Sequence, residues 1–282
     1  MTTVAILGTG KMGGAIARRL ASSGFDVTLW NRTPAKAEEL HIGRVAATPA
    51  EAARDADVVI SSLTNDAAVR DVYLGEDGVL RAAAGKLLID ASTAGPEVIE
   101  ELGREAETAN ARLLAAPVLG SVPAVESGKL LILVGGDRAD LEQARPVLEQ
   151  LGEVRYIGER AHAQRLKLIA NSMLGITTAA AAELLAAGTA VGLDREQVFP
   201  ILVRFAPGLA ARERGFVQDQ HTPTKFAVRD LVKDLDLGLH AYGEVGVATP
   251  LTRQAHDLFA GAMRESADLD ISAVGRRATD QT

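Results

Sequence analysis

Short apolar segments alternate with longer helix-forming segments through the first half of this chain. The short segments are apolar without interruption, which is typical of strands buried on both faces. Such strands need helices above and below them, so the alternation predicts a doubly wound, largely parallel sheet. The expected strands are Val4–Leu7, Val27–Trp30, Val58–Ser61, Leu87–Ile89, Arg112–Ala115 and Leu130–Val134, and the expected helices include Gly14–Ser23, Ala35–Leu40 and Glu97–Thr108.

The strand pattern stops near Gly158. The segment from Ala161 to Gly192 contains continuous helix formers, about 30 residues, which predicts a helix roughly 45 Å long. We therefore expect an α/β domain over residues 1–160 and an all-α domain over residues 161–282, with the long helix between them. Further helices are predicted at Arg195–Arg204, Phe226–Gly243 and Thr249–Arg264, with breaks or starts at Pro200, Pro207, Pro223 and Pro250.

Composition narrows the possible functions. A net charge of −7 provides no basic field for a phosphate backbone, so we expect no nucleic-acid partner. The absence of cysteine excludes disulfides, cysteine-ligated zinc and a thiolate nucleophile, and is compatible with a cytoplasmic location. The histidines have no ligand-like spacing with acids, so no metal site is predicted, and no Ser–His–Asp arrangement is apparent.

Two segments bear on membranes and secretion. The N-terminus enters an apolar strand without a basic region, so we expect no signal peptide. The segment Gly175–Leu193 is long and apolar, but Glu183 lies at its middle and most of its residues are small. We therefore expect a buried helix rather than a membrane span.

A glycine-rich loop follows the first predicted strand. Gly8–Gly13 reads G-x-G-x-x-G, the spacing that opens a dinucleotide-binding fold. Gly8 allows the tight turn, Gly10 allows close approach of a pyrophosphate, and Gly13 allows close packing of helix on strand. The sequence thus predicts an N-terminal Rossmann domain that binds a dinucleotide through Gly8, Thr9, Gly10, Lys11, Met12 and Gly13.

The end of the second strand indicates which dinucleotide is bound. NAD-specific folds usually place Asp or Glu there to accept from the ribose 2′-hydroxyl. Here the residues are Asn31, Arg32 and Thr33, with Lys36 following, and these can donate to a 2′-phosphate. The expected cofactor is NADP(H); a merely solvated Arg32 is the alternative.

Lys167 and Asn171 are four residues apart and face the same side of the long helix. Their apolar neighbours predict an enclosed helix, where desolvation lowers the pKa of a lysine and lets it exchange a proton. A lysine extended along its helix and paired with an acid has the same spacing, so both interpretations stay open. The segment around Lys233 and Asp234 by itself indicates only a charged surface helix. The apolar neighbours of Lys167 are Leu166, Leu168, Ile169 and Ala170.

Read in order, these and other motifs resemble those of the β-hydroxyacid dehydrogenases, which include 3-hydroxyisobutyrate dehydrogenase-like enzymes. The similarity is strongest to the glyoxylate/succinic semialdehyde reductase branch and spans essentially the full length. The matching motifs are Gly8–Gly13, Asn31–Thr33, Asp90–Thr93 with Pro96, Ala116–Ser121, Gly128–Leu130, Gly135–Asp137, Lys167–Asn171 and Lys233–Leu235.

The resemblance implies an NADPH-dependent oxidoreductase that transfers hydride between nicotinamide and a small carbonyl or hydroxyacid, such as glyoxylate, succinic semialdehyde or 3-hydroxyisobutyrate. It gives Lys167 the role of general acid/base and Asn171 the role of holding substrate beside it. Gly120 and Ser121 are implied to bind the substrate carboxylate. The other implied cofactor contacts are Leu63, Thr93 and Lys233, and the other implied substrate contacts are Ser92, Leu119, Phe226 and Asp234.

Three positions depart from the family pattern. Leu119 stands where the family usually has Ser, which removes one donor to a carboxylate and favours a less polar substrate. Ala115 replaces an acid or Gly, and residues 161–163 replace a glycine-rich lead-in to the catalytic helix.

Two other functions are considered. An imine reductase with the same domain plan would suit Leu119, but such enzymes commonly carry Asp or Tyr at the position of Lys167. A non-catalytic scaffold that keeps the fold is the third possibility, and the presence of Lys167 argues against it.

The small residues of Gly175–Gly192 offer a face for close helix packing, so we expect a homodimer or homotetramer. The same face could be buried within one chain.

Overall fold

The computed structural model describes residues 2–276. The chain divides into two compact units, Met1–Lys167 and Leu168–Thr282. The division falls inside helix α8 (Arg160–Ala190), whereas the predicted domain limit, 160/161, falls at the start of that helix. The first eight residues of α8 therefore belong to the first unit.

The first unit contains one nine-stranded sheet and the helices that cover it. Its strands are β1 (Thr3–Leu7), β2 (Asp26–Trp30), β3 (Arg44–Val45), β4 (Val58–Ser61), β5 (Leu87–Asp90), β6 (Arg112–Ala115), β7 (Val118–Leu119), β8 (Leu130–Gly135) and β9 (Gly152–Gly158). Its complete helices are α1 (Lys11–Ser22), α2 (Pro34–Glu38), α3 (Pro49–Arg54), α4 (Asp66–Leu74), α5 (Pro96–Thr108), α6 (Val122–Glu126) and α7 (Arg138–Leu148), with a 3₁₀ turn at Val79–Ala82.

The strand order is β3-β2-β1-β4-β5-β6-β8-β7, with β9 beside β8. The strands from β3 to β6 are parallel, β8 runs antiparallel to β6 and β7, and β9 is parallel to β8. The predicted doubly wound, largely parallel sheet is confirmed. The order reverses between β1 and β4, which is the point where open α/β sheets bind ligands, beyond the carboxyl ends of the strands.

Alternation along the strands explains both layers of the core. In β1, Val4 and Ile6 pack into one apolar cluster, while Ala5 and Leu7 pack into the cluster on the opposite face. All four are buried, because helices cover both sides of the sheet. Double burial of this kind made strands such as β1, β4 and β5 recognisable from the sequence.

Some boundaries and elements differ from the prediction. Helix α1 begins at Lys11 rather than Gly14, because the loop glycines enter its first turn. The two-residue strands β3 and β7 are too short to leave an apolar run. In β9, polar and apolar residues alternate, and the strand escapes the search for continuous apolar segments.

The second unit is helical in its described residues. It contains the rest of α8, then α9 (Arg195–Phe205), α10 (Glu213–Gln218), α11 (Val228–Glu244) and α12 (Pro250–Ser266), with 3₁₀ turns at Pro207–Arg212 and Ile271–Val274. Phe199 and Phe259 are buried in its apolar core. The break predicted at Pro200 is wrong, since this residue lies inside α9. Proline has no N–H to donate, so one backbone hydrogen bond to the first turn of α9 is lost.

Helix α8 is less enclosed than its composition predicted. Leu166 is 37% exposed and Ile169 is 54% exposed, so the expected enclosure around Lys167 is wrong. Leu184 and Val191 are also exposed, so the Gly175–Leu193 segment is buried along one face only. An apolar run does not require cover on every side. Within residues 2–276, α8 alone is long and apolar enough to cross a membrane, and half of the apolar window concerned is buried inside the protein.

Asp57, just before β4, fixes the start of β1. Its Oδ2 accepts hydrogen bonds from the backbone N–H of Thr3 at 2.8 Å and from the Thr3 hydroxyl at 2.9 Å. These bonds hold the pKa of Asp57 below its usual range. A carboxylate with a lowered folded-state pKa stabilises the fold above its unfolded-state pKa of about 3.9, and this contribution is lost as the pH falls through the folded-state value.

We predict that Asp57→Asn lowers the free energy of unfolding by about 0.5–1 kcal/mol at pH 7, a charge-assisted contribution discounted for solvent exposure. The difference from wild type should shrink below about pH 4. Urea unfolding between pH 3 and pH 7 measures it. Asp26→Asn, in register beside Thr3 on β2, is the control. An equal loss at every pH would contradict the electrostatic explanation.

Candidate active site

The glycine loop between β1 and α1 is shaped by contacts that exclude side chains. Gly8 has a positive φ of 93°, and its N–H donates to the carbonyl of Trp30 at 2.8 Å. A Cβ atom at Gly13 would lie 1.9 Å from the carbonyl oxygen of Gly8, so backbone meets backbone there. In contrast, a Cβ at Gly10 would meet no atom within 4 Å. Gly8 and Gly13 are needed for the fold, whereas Gly10 leaves an open approach to its backbone.

The start of α1 is suited to an anion. Gly10 is its N-cap and provides no side-chain cap, and the first turn has no acidic residue, so helix N–H groups and dipole favour negative charge. Thr9 is buried, and its hydroxyl has no hydrogen-bond partner among the described residues. The open backbone at Gly10 and the unsatisfied Thr9 hydroxyl fit the pyrophosphate of a dinucleotide. Lys11 is exposed beside them and Met12 is half-buried.

The turn after β2 is tied to this loop. The Asn31 side chain accepts from the Thr9 N–H at 3.0 Å and donates to the Thr33 carbonyl at 2.9 Å. Arg32 and Lys36 are exposed and form no salt bridge within residues 2–276. The predicted cofactor-binding residues of the loop and this turn therefore adjoin one another.

A buried polar network lies at the carboxyl ends of β4 and β5. Asp90 is fully buried, and its Oδ1 accepts from the hydroxyls of Ser61 at 2.6 Å and Ser92 at 2.7 Å. The Ser61 hydroxyl is also 2.8 Å from the hydroxyl of Tyr73. Burial raises the pKa of Asp90 and raises that of Tyr73 well above its usual value. Sequence inspection missed this network, because Ser61 and Tyr73 belong to no motif.

Ser92 and its neighbours form the turn that carries Thr93. The Ser92 hydroxyl accepts from the Leu63 N–H at 2.9 Å, which joins the two predicted cofactor loops. The buried Gln164, on α8, donates to the Ser92 carbonyl at 3.1 Å and accepts from the Ala94 N–H at 3.3 Å. The Ser92 hydroxyl is thus committed within the protein, and its direct contact with substrate stays a prediction.

Lys167 is partly buried, and its side chain reaches strand β7 of the same unit. Its Nζ donates to the carbonyl oxygen of Val118, on β7, at 2.8 Å. Leu119 is half-buried beside it, and the exposed Gly120 has a φ of 137°, a conformation that favours glycine. Ser121 is the N-cap of α6, but its hydroxyl makes no capping bond. The Nζ atom of the predicted acid/base therefore lies at the start of the short segment that contains three predicted substrate residues.

The second unit brings together the remaining predicted polar residues. Asn171 and Asp234 are both buried, and the Asn171 Nδ2 donates to Asp234 Oδ2 at 2.5 Å. Lys233 Nζ lies 2.7 Å from Asp234 Oδ1, so Asp234 links the amide to the lysine. Phe226 is half-buried against the helical core, and its N–H donates to Asp270.

A Ser–His–Asp chain, which the sequence did not reveal, also lies in the second unit. His221 Nδ1 is 3.0 Å from the Ser272 hydroxyl, and His221 Nε2 is 2.8 Å from Asp219 Oδ1. Ser272 is buried, and a Cβ atom at Gly215 would lie 2.1 Å from its hydroxyl. Because the serine is buried, we interpret the chain as an anchor of the Ile271–Val274 turn. Across residues 2–276 no group of three or more His, Asp or Glu could hold a metal.

Comparison with known proteins identifies the family. A family model described as the NAD-binding domain of 6-phosphogluconate dehydrogenase matches residues 3–158, and one described as the NAD-binding domain of NADP-dependent 3-hydroxyisobutyrate dehydrogenase matches residues 161–277. 3-Hydroxyisobutyrate dehydrogenase of Pseudomonas aeruginosa is 35% identical, with 97% of each chain covered. Glyoxylate/succinic semialdehyde reductase 1 of Arabidopsis thaliana is 32% identical, with 96% of each chain covered.

Solved structures agree. The structure of Mycobacterium tuberculosis 3-hydroxyisobutyrate dehydrogenase with L-serine has a TM-score of 0.86 at 31% identity, over 98% of this chain and 99% of that one. An imine reductase from Bacillus cereus, at 22% identity and a TM-score of 0.65 over 98% and 99% of the two chains, is similar in fold alone. The fold, the glycine loop and these matches define an NAD(P)-dependent oxidoreductase. Within that class, the chain belongs to the β-hydroxyacid dehydrogenase family.

The contrast between two loop glycines tests the cofactor site. We predict that Gly10→Ala leaves the free energy of unfolding unchanged or higher by up to about 1 kcal/mol, since its φ of −64° suits alanine. NADPH affinity should fall at least about tenfold, because the methyl group occupies the approach to the backbone. Gly13→Ala should instead lower the free energy of unfolding by about 1–3 kcal/mol, through its backbone clash. Thermal unfolding and titration of nucleotide fluorescence measure both, and wild-type affinity in Gly10→Ala would contradict the placement.

Proposed function

We propose that the protein reduces a small carbonyl compound with NADPH, or oxidises the corresponding hydroxyacid, with Lys167 as general acid/base. The observation that carries this proposal is the 2.8 Å hydrogen bond from Lys167 Nζ to the Val118 carbonyl. It keeps the ammonium beside the start of the Leu119–Ser121 segment, the predicted substrate loop. Homologues that are named as hydroxyacid dehydrogenases and reductases support the reaction class.

When bound, a nicotinamide would supply hydride to the carbonyl carbon of the substrate. Lys167 then donates a proton to the developing alkoxide, and in the reverse direction it takes the proton from the hydroxyl. The bond to Val118 restricts the ammonium to a small volume, which favours a productive approach over a solvated, mobile lysine. Asn171 orients the substrate oxygen, and its amide is held in one orientation by Asp234.

The residues proposed to hold the cofactor are those of the loop, the turn after β2 and the loops after β4 and β5. The Thr9 hydroxyl and the N–H groups of α1 would hold the phosphates, and Arg32 with Lys36 would receive the 2′-phosphate. Leu63 and Thr93 are proposed to contact the nicotinamide end, and Lys233 to reach the cofactor.

The substrate is proposed to be an acid with a less polar body than glyoxylate. Gly120 and Ser121 supply donors for its carboxylate, while Leu119 presents an apolar surface where the family usually has serine. Leu119 also suits a cyclic imine, so an imine reductase is the second candidate; Lys167 favours the first. A small-molecule partner is common to both.

A substrate panel with NADPH consumption as the readout tests the function. We predict turnover of short aldehyde acids, such as succinic semialdehyde, and of the matching hydroxyacids with NADP⁺, at higher rates than any cyclic imine. Lys167→Ala should lower kcat by about 10²–10⁴-fold and leave NADPH affinity within a few-fold, because the lost group acts on the transferred proton. Lys129→Ala, which removes an exposed lysine from the same unit, is the control.

Each result separates the candidates. Preferred turnover of imines would replace the first function with the second. A Lys167→Ala variant that keeps wild-type kcat would remove Lys167 from the chemistry. No NADPH consumption with any aldehyde, ketone or imine would favour the non-catalytic scaffold.

Arg32 is proposed to set the preference for NADPH over NADH. Its charge-assisted bonds to a 2′-phosphate would contribute about 1.5–3 kcal/mol, or one to two powers of ten in affinity. We predict that Arg32→Ala lowers kcat/KM for NADPH by about that factor and leaves kcat/KM for NADH nearly constant. Arg54→Ala, an exposed arginine at the end of α3, is the control. Equal kcat/KM values for the two cofactors in the wild type would contradict the proposal.

We further propose that the protein is at least a dimer. The exposed side chains of Ile169, Met173 and Leu184 lie at helical spacing on α8 and support packing against a second copy.

A further inference from the structure

The amide of Gln164 forms two hydrogen bonds to one turn of backbone. The side chain is fully buried, its Nε2 donates to the Ser92 carbonyl at 3.1 Å, and its Oε1 accepts from the Ala94 N–H at 3.3 Å. The two backbone groups flank Thr93 on either side. A single side chain of α8 therefore fixes the backbone before and after the residue that is proposed to contact the nicotinamide.

The same turn is held from its opposite side by the Asp90 network. The Ser92 hydroxyl donates to Asp90 Oδ1 and accepts from the Leu63 N–H. Asp90 is in turn fixed by Ser61, at 2.6 Å. With the turn bonded to these buried groups, its backbone has little freedom to move, and Gln164 connects it to α8.

Gln164 and Lys167 are three residues apart on α8, within the first unit. In an α-helix this spacing corresponds to a rise of about 4.5 Å and places both side chains on neighbouring parts of one face. Lys167 is bonded to Val118, and Gln164 is bonded to the turn of Thr93. The helical segment between them is thus attached both to strand β7 and to the turn after β5.

We propose that Gln164 is a positioning residue, which sets the placement of the Thr93 turn relative to Lys167 and so the alignment of the hydride donor with the proton donor. The inference rests on the proposed function. It also explains why this position carries an amide. Only a group with one donor and one acceptor satisfies both Ser92 and Ala94, whereas a carboxylate would oppose the Ser92 carbonyl.

The test compares Gln164→Met, which keeps the length but makes neither bond, with Gln164→Glu and with the surface control Gln143→Met. We expect Gln164→Met to lower kcat by about 10–10²-fold, as a small misalignment does, with the KM for NADPH within a few-fold of wild type. The primary isotope effect on kcat with 4-deuterated NADPH should increase. Amide exchange at Ala94 should accelerate, because its N–H loses its acceptor.

Gln164→Glu adds a pH readout. A protonated carboxyl has one donor and one acceptor, as the amide has, and burial raises the pKa of a glutamic acid. Its kcat relative to wild type should therefore recover below about pH 6 and fall at higher pH. A merely structural role would lower kcat in proportion to the folded fraction and leave the isotope effect and relative pH profile unchanged. If Gln164→Met does not fold, the pH profile of Gln164→Glu carries the test.

The failures are distinguishable. A wild-type isotope effect and kcat in Gln164→Met, or unchanged exchange at Ala94, would overturn the positioning role while the NADPH-dependent reaction of the wild type stands. Inactivity of the wild type across the whole panel would refute the proposed function and the catalytic part of this inference with it, and exchange at Ala94 would still decide whether the two bonds hold the turn in solution.

Discussion

The proposed chemistry depends on the hydrogen bond between Lys167 and the Val118 carbonyl. A lysine has four rotatable side-chain bonds and a strongly hydrated head, so an unrestrained ammonium samples solvent far more than any one reactive position. A backbone acceptor at the start of β7 removes part of that freedom. In the proposed reaction the ammonium therefore stays close to the loop that contains Leu119.

Backbone groups form much of the phosphate-binding part of the proposed cofactor site. Gly8 and Gly13 are required because atoms of neighbouring backbone occupy the space of a side chain, whereas Gly10 is required only if a ligand approaches it. This contrast distinguishes the glycine proposed to admit the cofactor from the two glycines that the backbone packing requires. The unsatisfied hydroxyl of Thr9 points to the same conclusion, since a buried hydroxyl without a partner is costly unless a ligand completes it.

The sequence allowed most of the sheet to be predicted, because strands such as β4 and β5 are buried on both faces and stay apolar throughout. The apolar composition of α8 predicted more burial than the helix has, because composition alone does not distinguish a buried helix face from an exposed one. Gln164 escaped notice for a related reason: a glutamine in a helix ordinarily faces water, and its two backbone partners lie some seventy residues away. Contacts of this kind leave no local pattern.

The buried polar groups of the first unit are concentrated where precision matters. Burying Asp90 disfavours its charged form, and burying the amide of Gln164 costs free energy unless both of its bonds are made. An apolar turn would give the folded protein a higher free energy of unfolding. Apolar contacts, however, fix distance only loosely, whereas a network of directional bonds admits one arrangement of the turn. The interior at the carboxyl ends of β4 and β5 is therefore less stable than an apolar one would be, but it gives Thr93 a defined position, which the proposed hydride transfer requires and folding does not.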